Sequence, residues 1–332
     1  RMSRGLGDVY KRQIINWVKQ RYDLIVTKEV INFVPGIVPG IGMAMNCFTQ
    51  KGDKVMIQPP VYHPFAWVTT RNERTLVINP LRWENGMYRM DLDAFREQIK
   101  GCKLFILCNP HNPGGVVWTE AELRAIADIC YDEKVLVFSD EIHADLTLPP
   151  HTHRPFATVS EKARMNSVTF MSPSKAFNMP GLSASHALIF NEDLRKRFRI
   201  YMDAGELDMG HVFAFLSVEA AYSHGTEWLD QCLAYIQGNI DFVDEFLKKH
   251  APKIKAIRPE ASYLVWLDCR ELELSQKDLN EFFVDKAHLA LNDGEMFGKE
   301  GIGFMRLNVA SPRCIIEKAM KQLADAYQLY IK

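Results

Sequence analysis

Apolar residues fall into two kinds of pattern along this chain. In its middle, Lys54–Gln58 (KVMIQ), Lys103–Cys108 (KLFILC), Lys134–Ser139 (KVLVFS) and Ser167–Met171 (SVTFM) are short and almost wholly apolar. Runs of that length without polar alternation predict strands buried on both faces, as in a parallel sheet. Between the second and third the period changes. Over Thr119–Glu133, Leu123, Ile126, Ala127 and Cys130 share one helical face, and Thr119 with Glu122 forms a capping-box pattern at the start. Strands alternating with helices predict an α/β fold with a mostly parallel central sheet.

A helical period opens at Ile14 (Ile14, Ile15, Val18). Arg1–Gln13 has no clear apolar period, and Gly7–Gln13 (GDVYKRQ) reads as translated adapter sequence, so residues 1–13 are set aside as a non-native leader. Leu229, Leu233, Ile236, Ile240, Val243 and Leu247 recur three and four apart, which predicts one long helix over Thr226–His250. Beyond Pro252, strand-like runs at Tyr263–Leu267 and Phe304–Val309 accompany helical patterns at Gln276–Lys286 and Ile315–Ile331. The expected division is a large domain over 14–222, a bridging helix over 223–250 and a smaller α+β domain over 251–332.

Composition narrows the function. With 40 basic and 41 acidic residues in 332, and no basic run, nothing calls for nucleic acid or an anionic membrane. No stretch is long and apolar enough to span a bilayer, and no signal-peptide pattern is present. Seven cysteines, an odd number without C-x-x-C spacing, fit reduced thiols in a cytoplasmic enzyme.

The strand ends carry the chemistry. Each apolar run stops at polar or turn residues, and in open α/β sheets ligand sites gather at the carboxyl ends of strands. Lys175 follows the fourth run in Ser172-Pro173-Ser174-Lys175. Such a lysine is ordinarily a solvated turn residue, but an amine on a rigid support also suits imine chemistry with an aldehyde cofactor. Asp140 ends the third run and reads either as a cap or as the partner of a protonated ring nitrogen. Asn112, in a proline-rich turn, can donate to a phenolate oxygen. Tyr62 reads as a packed surface tyrosine or as the cover of a flat ring. The loop Pro35–Gly40, with Gly36, Ile37 and Val38, precedes a helical pattern at Met43–Phe48, and its backbone N–H groups suit a phosphate, as do Ser172 and Ser174. His151-Thr152-His153, with His143 upstream, lacks a completing Cys or carboxylate set and reads as a surface loop, so no metal is expected. Glu141 reads as structural.

Taken together, Asn112-Pro113-x-Gly115, Asp140-Glu141-Ile142-His143 and Ser172-x-Ser174-Lys175 resemble the fold-type I enzymes that use pyridoxal 5′-phosphate (PLP). The stretches Gln58–Phe65, Cys108–Gly114, Ser174–Leu182, Ala261–Asp268 and Phe304–Asn308 are similar to the cystathionine β-lyase branch of class I and II aminotransferases. The likeness runs from about Ile14 to the C-terminus. It implies a three-layer PLP-dependent transferase fold, a homodimer, and a further N-terminal segment upstream in the parent protein. It assigns Lys175 as the cofactor lysine and base, Asp140 to the ring nitrogen, and Asn112 and His143 to the phenolate side. Arg306 becomes the residue that binds the α-carboxylate of a small amino-acid substrate, and Ser183 stands where many aminotransferases place a phosphate-binding arginine. The implied reaction is loss of a thiol from a cysteine S-conjugate to give pyruvate and ammonia. An aminotransferase, or a PLP-holding regulatory protein, are the other two readings.

Overall fold

A computed structural model describes residues 2–331. Its strands are β1 (Ile31–Val34), β2 (Lys54–Ile57), β3 (Thr75–Ile78), β4 (Arg82–Glu84), β5 (Met87–Arg89), β6 (Leu104–Cys108), β7 (Leu136–Asp140), β8 (Ser167–Met171), β9 (Ser185–Leu188), β10 (Lys255–Ile257), β11 (Leu264–Asp268), β12 (Asn292–Asp293) and β13 (Phe304–Asn308). The helices are α1 (Met2–Tyr22), α2 (Ile37–Phe48), α3 (Pro64–Arg71), α4 (Leu92–Gln98), α5 (Glu120–Asp132), α6 (Glu161–Met165), α7 (Glu192–Ala204), α8 (Val212–His224), α9 (Thr226–His250), α10 (Gln276–Glu281) and α11 (Arg313–Ile331).

Seven strands form the main sheet in the order β1-β9-β8-β7-β6-β2-β3. The pairs from β8 through β7, β6 and β2 to β3 are parallel, whereas β9 joins β8 and β1 antiparallel. The four apolar runs are β2, β6, β7 and β8. Their unbroken hydrophobicity is explained by burial on both sides, because alternate side chains feed two separate clusters. Val55, Ile57, Leu104, Ile106 and Phe138 pack under α2, α3 and α7 through Ile41, Met45, Phe65 and Phe198. Met56, Phe105, Leu107 and Val137 pack under α4, α5 and α6 through Phe95, Leu123, Ile126 and Ala163. These make three layers. A second sheet, β10-β11-β13-β12, is antiparallel throughout, and α9 runs between the stretches that build the two.

Local signals hold where they were sharp. The Thr119–Glu122 capping box forms in both directions, and α9 has the bounds its period predicts. Other elements differ. The expected loop Pro35–Gly40 is largely helix, since α2 begins at Ile37; Pro39 fits its first turn, where a missing N–H loses no intrahelical bond. The helix expected over Gln276–Lys286 stops at Glu281 and widens into a π-turn over Phe282–Lys286, which buries the adjacent rings of Phe282 and Phe283 together. Helix α1 extends well before Ile14. Tyr10, in the stretch set aside, is buried with its ring centroid 4.8 Å from that of Phe215, in helical step with Ile14, Trp17 and Val18. Arg1, where that stretch begins, lies outside the described residues.

One glycine ties the sheets together. Gly115 has φ +68°, and a Cβ on it would fall 2.4 Å from Pro259 Cβ. Its carbonyl accepts from the N–H groups of Glu260 and Ala261, at 2.9 and 3.0 Å, just ahead of β11. Gly115→Ala is therefore expected to cost roughly 2 kcal/mol or more through strain and overlap. Gly238→Ala, inside α9 with only the Arg313 Nη2 atom at 3.5 Å, is expected to gain about 0.5–1 kcal/mol. Urea unfolding of the two variants checks the contrast.

Candidate active site

The carboxyl ends of β6, β7 and β8 open into a cleft of about 350 Å³. Each strand end delivers polar groups to it, and Asn112, Lys175 and Asp140 are each set by a local device. After β6 the turn carrying Asn112 is fixed by His111, whose N–H donates to Val116 O and whose Nε2 lies 2.8 Å from Pro60 O. The Asn112 N–H points at Cys108 Sγ, 3.4 Å away. After β8, Ser174 N–H donates to Ser172 Oγ, and Ser172 Oγ also meets Ala184 O at 2.7 Å, so the turn before Lys175 is locked from beneath. At the end of β7, Asp140 is 3% exposed and one carboxylate oxygen accepts the Ile142 N–H, at 3.1 Å.

Burial dominates the electrostatics. It raises the Asp140 carboxyl to about 7, against a downward pull from the Ile142 N–H and the Lys175 charge. It lowers Lys175, helped by the nearby Arg306 charge and opposed by Asp140. Burial, with the Lys175 and Arg306 charges, presses His143 down to about 3, so its imidazole is neutral. Its Nδ1 is buried without a partner among the described residues. Arg306, on β13, is lowered to about 10 by burial. Among the described residues no carboxylate pairs with it; Nη1 and Nη2 donate to Asn112 Oδ1 and Asn292 Oδ1 at 2.9 and 2.8 Å.

The structure brings the expected residues to one place. Ile37 and Val38 from the start of α2, Tyr62, Asn112, Asp140, His143, Ser174, Lys175 and Arg306 all line the cleft. Gly36 caps α2 and Ser172 stands behind Ser174, neither lining the cleft itself. Residues 37 and 38 present backbone N–H groups of a helix's first turn, which lack intrahelical acceptors. Sequence reasoning missed Tyr263, Asn308 and Asn292. Tyr263 and Asn308 line the cleft at the ends of β11 and β13, within or beside motifs quoted for the resemblance. Asn292, on a two-residue strand, had no signal.

The histidine loop needs correction. His153 is not on the surface: it is buried, with Nε2 2.8 Å from Glu141 Oε2. The Glu141 carboxylate, itself buried, accepts from Ser139 Oγ and the Phe156 N–H at its other oxygen, so both of its oxygens are partnered inside the fold. No group of three or more His, Cys, Asp or Glu side chains suited to a metal occurs among the described residues.

Residues 6–323 match the family described as aminotransferase class I and II. The chain belongs to this family. It is 38% identical to the cystathionine beta-lyase PatB of Bacillus subtilis (strain 168), over 95% of this chain and 82% of that protein. Among solved structures, cystalysin from Treponema denticola, which contains a pyridoxal 5′-phosphate cofactor, superposes with a TM-score of 0.95 at 34% identity, covering 98% of this chain and 83% of its own. A PLP-bound protein of Clostridium difficile 630, provisionally classed as an aminotransferase, gives 0.94 at 40% identity, covering 96% and 83%. The family likeness agrees with the three-layer fold and its mostly parallel sheet.

A carboxyl raised to about 7 keeps, in the native chain, a proton that the unfolded chain loses above about 4. Native stability therefore falls as pH climbs between those values and stays lowered above the upper one. Asp140→Asn removes that cost. In cofactor-free protein its stability advantage over wild type is expected to grow by roughly 2–3 kcal/mol between about pH 5 and about pH 8. Urea unfolding at the two pH values reads it, and a constant difference would mean that the carboxylate is well solvated.

Proposed function

We propose that this chain is a PLP-dependent carbon–sulfur β-lyase of the cystathionine β-lyase type. It removes a thiol from an L-cysteine S-conjugate and leaves pyruvate and ammonia. The observation that carries the reading is one cleft faced by a buried carboxylate, an amine of lowered pKa and a guanidinium without a counter-charge. The likeness to PatB directs that chemistry toward sulfur elimination.

The residues fit PLP. Asp140 is a carboxylate that burial alone would protonate, so a cationic ring nitrogen is the partner that lets it ionise. Asn112 spends its carbonyl oxygen on Arg306 and keeps its amide N–H groups for a phenolate oxygen. The N–H groups of Ile37 and Val38 and the Ser174 hydroxyl suit a phosphate, with Gly36 shaping the turn and Ser172 fixing Ser174. Tyr62 and His143 line the space for the ring. When bound, PLP supplies the electron sink for the pair left at the substrate Cα.

The protein's own groups do the rest. Arg306 grips the α-carboxylate through its fork of donors. Lys175 Nζ is the amine that would hold the cofactor aldehyde and, when free, would take the Cα proton; its lowered pKa favours the neutral base. As the Cβ–S bond breaks with its electron pair leaving on sulfur, the Cα pair closes a Cα–Cβ double bond. The proton held by Lys175 is available to the departing thiolate, and water hydrolyses the released enamine to pyruvate and ammonia. Tyr62, His143 and Tyr263 wall the cleft and would limit water at the reacting Cα.

The aminotransferase reading shares every residue up to removal of the Cα proton, and the family description gives it weight. The same proposal includes the division into a large PLP-binding domain (14–222), a bridging helix (223–250) and a small domain (251–332). It includes a homodimer, supported by the exposed apolar side chains of Met209, Val212 and Phe213. It also includes a cytoplasmic setting, supported by seven free cysteines.

Supplied with PLP and L-cystathionine but no oxo acid, the protein is expected to release pyruvate in step with substrate loss. Lys175→Ala is expected to lose the visible absorption of lysine-bound cofactor and about 10²–10⁴-fold in rate. Transfer of the amino group to an added oxo acid, with no pyruvate in its absence, would establish the aminotransferase instead.

A further inference from the structure

Arg306 carries a largely buried positive charge held, among the described residues, by neutral groups. Nη1 donates to Asn112 Oδ1 and Nη2 to Asn292 Oδ1, and the Phe297 ring centroid lies 4.6 Å from Cζ. Nε is buried and has no partner among the described residues. A guanidinium has donors only, so both amides must turn their oxygens toward it. Asn292 is placed for this by register, since β12 pairs with β13 so that Asn292 stands directly opposite Arg306.

The next residue makes the choice of an amide informative. Asp293 is an acid one position along the same short strand, yet its charge is spent elsewhere. Its carboxylate accepts from Gln276 Nε2 at 2.6 Å, Asn280 Nδ2 at 2.5 Å and the Glu295 N–H at 2.8 Å. Gln276 in turn accepts the Gly303 N–H ahead of β13. The strand is thus pinned by its acid, and the neutral side chain alone faces the guanidinium. Two amide oxygens fix the plane of Arg306 without cancelling its charge, whereas a carboxylate at 292 would compete with any incoming carboxylate.

We propose that Asn292 is a positioning residue for the substrate α-carboxylate. It holds Nη2 of Arg306 so that the remaining N–H groups of Nη1 and Nη2 meet the substrate already oriented. The inference rests on the reading of Arg306 as the carboxylate clasp. Its effect belongs to binding, not to proton removal at Lys175.

The test uses the PLP-loaded full chain and L-alanine, which has the α-carboxylate and no leaving group; its dissociation constant is read from the change in cofactor absorbance. L-cystathionine turnover supplies KM and kcat beside it, for wild type, Asn292→Ala, Asn292→Asp and Arg306→Ala. Asn292→Ala is expected to weaken L-alanine about tenfold and to raise KM to match, with kcat within about twofold. Asn292→Asp should weaken binding further, although it preserves size and hydrogen-bonding reach. If Arg306→Ala destroys binding and both Asn292 variants leave it unchanged, the role of Asn292 is overturned while the clasp stands. If binding survives Arg306→Ala, the clasp reading itself fails and this inference with it. A fall in kcat and in melting temperature at unchanged affinity would mark Asn292 as merely structural.

Discussion

Placing the Asp140 carboxylate out of water at the end of β7 is the constraint on which the rest of the cleft depends. Desolvation alone would leave it protonated near neutral pH, and the single N–H of Ile142 does not reverse that. What the fold offers instead is cationic company, Lys175 from the next strand end and an open space for a charged ligand. Glu141, its neighbour in sequence, is equally buried and has the opposite fate. Its oxygens are met by Ser139, the Phe156 N–H and His153, so it needs nothing from a ligand. Two adjacent acids therefore divide the work, one anchoring the loop after β7 and the other left wanting a partner.

Much of this was legible in the sequence because the informative strands are buried on both faces. Lys103–Cys108 and Ser167–Met171 announce themselves by lacking polar residues, and the polar groups after them are where ligands gather in such sheets. The edge pair β1 and β9 was not legible. Asn32, Ser185 and His186 are buried polar residues inside those short strands, and they break the apolar run that would have revealed them. Tyr10 escaped for a different reason: its helical period becomes visible only once Ile14, Trp17 and Val18 are placed on one face. His153 was misplaced because burial of a histidine is decided by a distant acid, here twelve residues away.

The part of the site least visible in sequence is the neutral setting of Arg306. Its partners come from a turn 194 residues away and from a strand of two residues. Neither distance nor length leaves a periodic trace. The surrounding groups share a tendency: His143 is pressed to its neutral form, the phenols of Tyr62 and Tyr263 are kept protonated by burial, and both amides are uncharged. Charge in the cleft is thus confined to the groups meant to meet a ligand.

The bond from the Gly115 carbonyl to the backbone ahead of β11 has a mechanical consequence. Asn112 lies three residues before that anchor, and Arg306 lies on the strand beside β11, bonded back to Asn112. The turn from the first sheet and the middle of the second are therefore joined in a closed loop of short contacts. A tilt of the four-stranded sheet cannot carry Arg306 away without pulling on the Asn112 turn. Stiffness there lets force applied at one sheet arrive at the other as a change in the aim of two side chains.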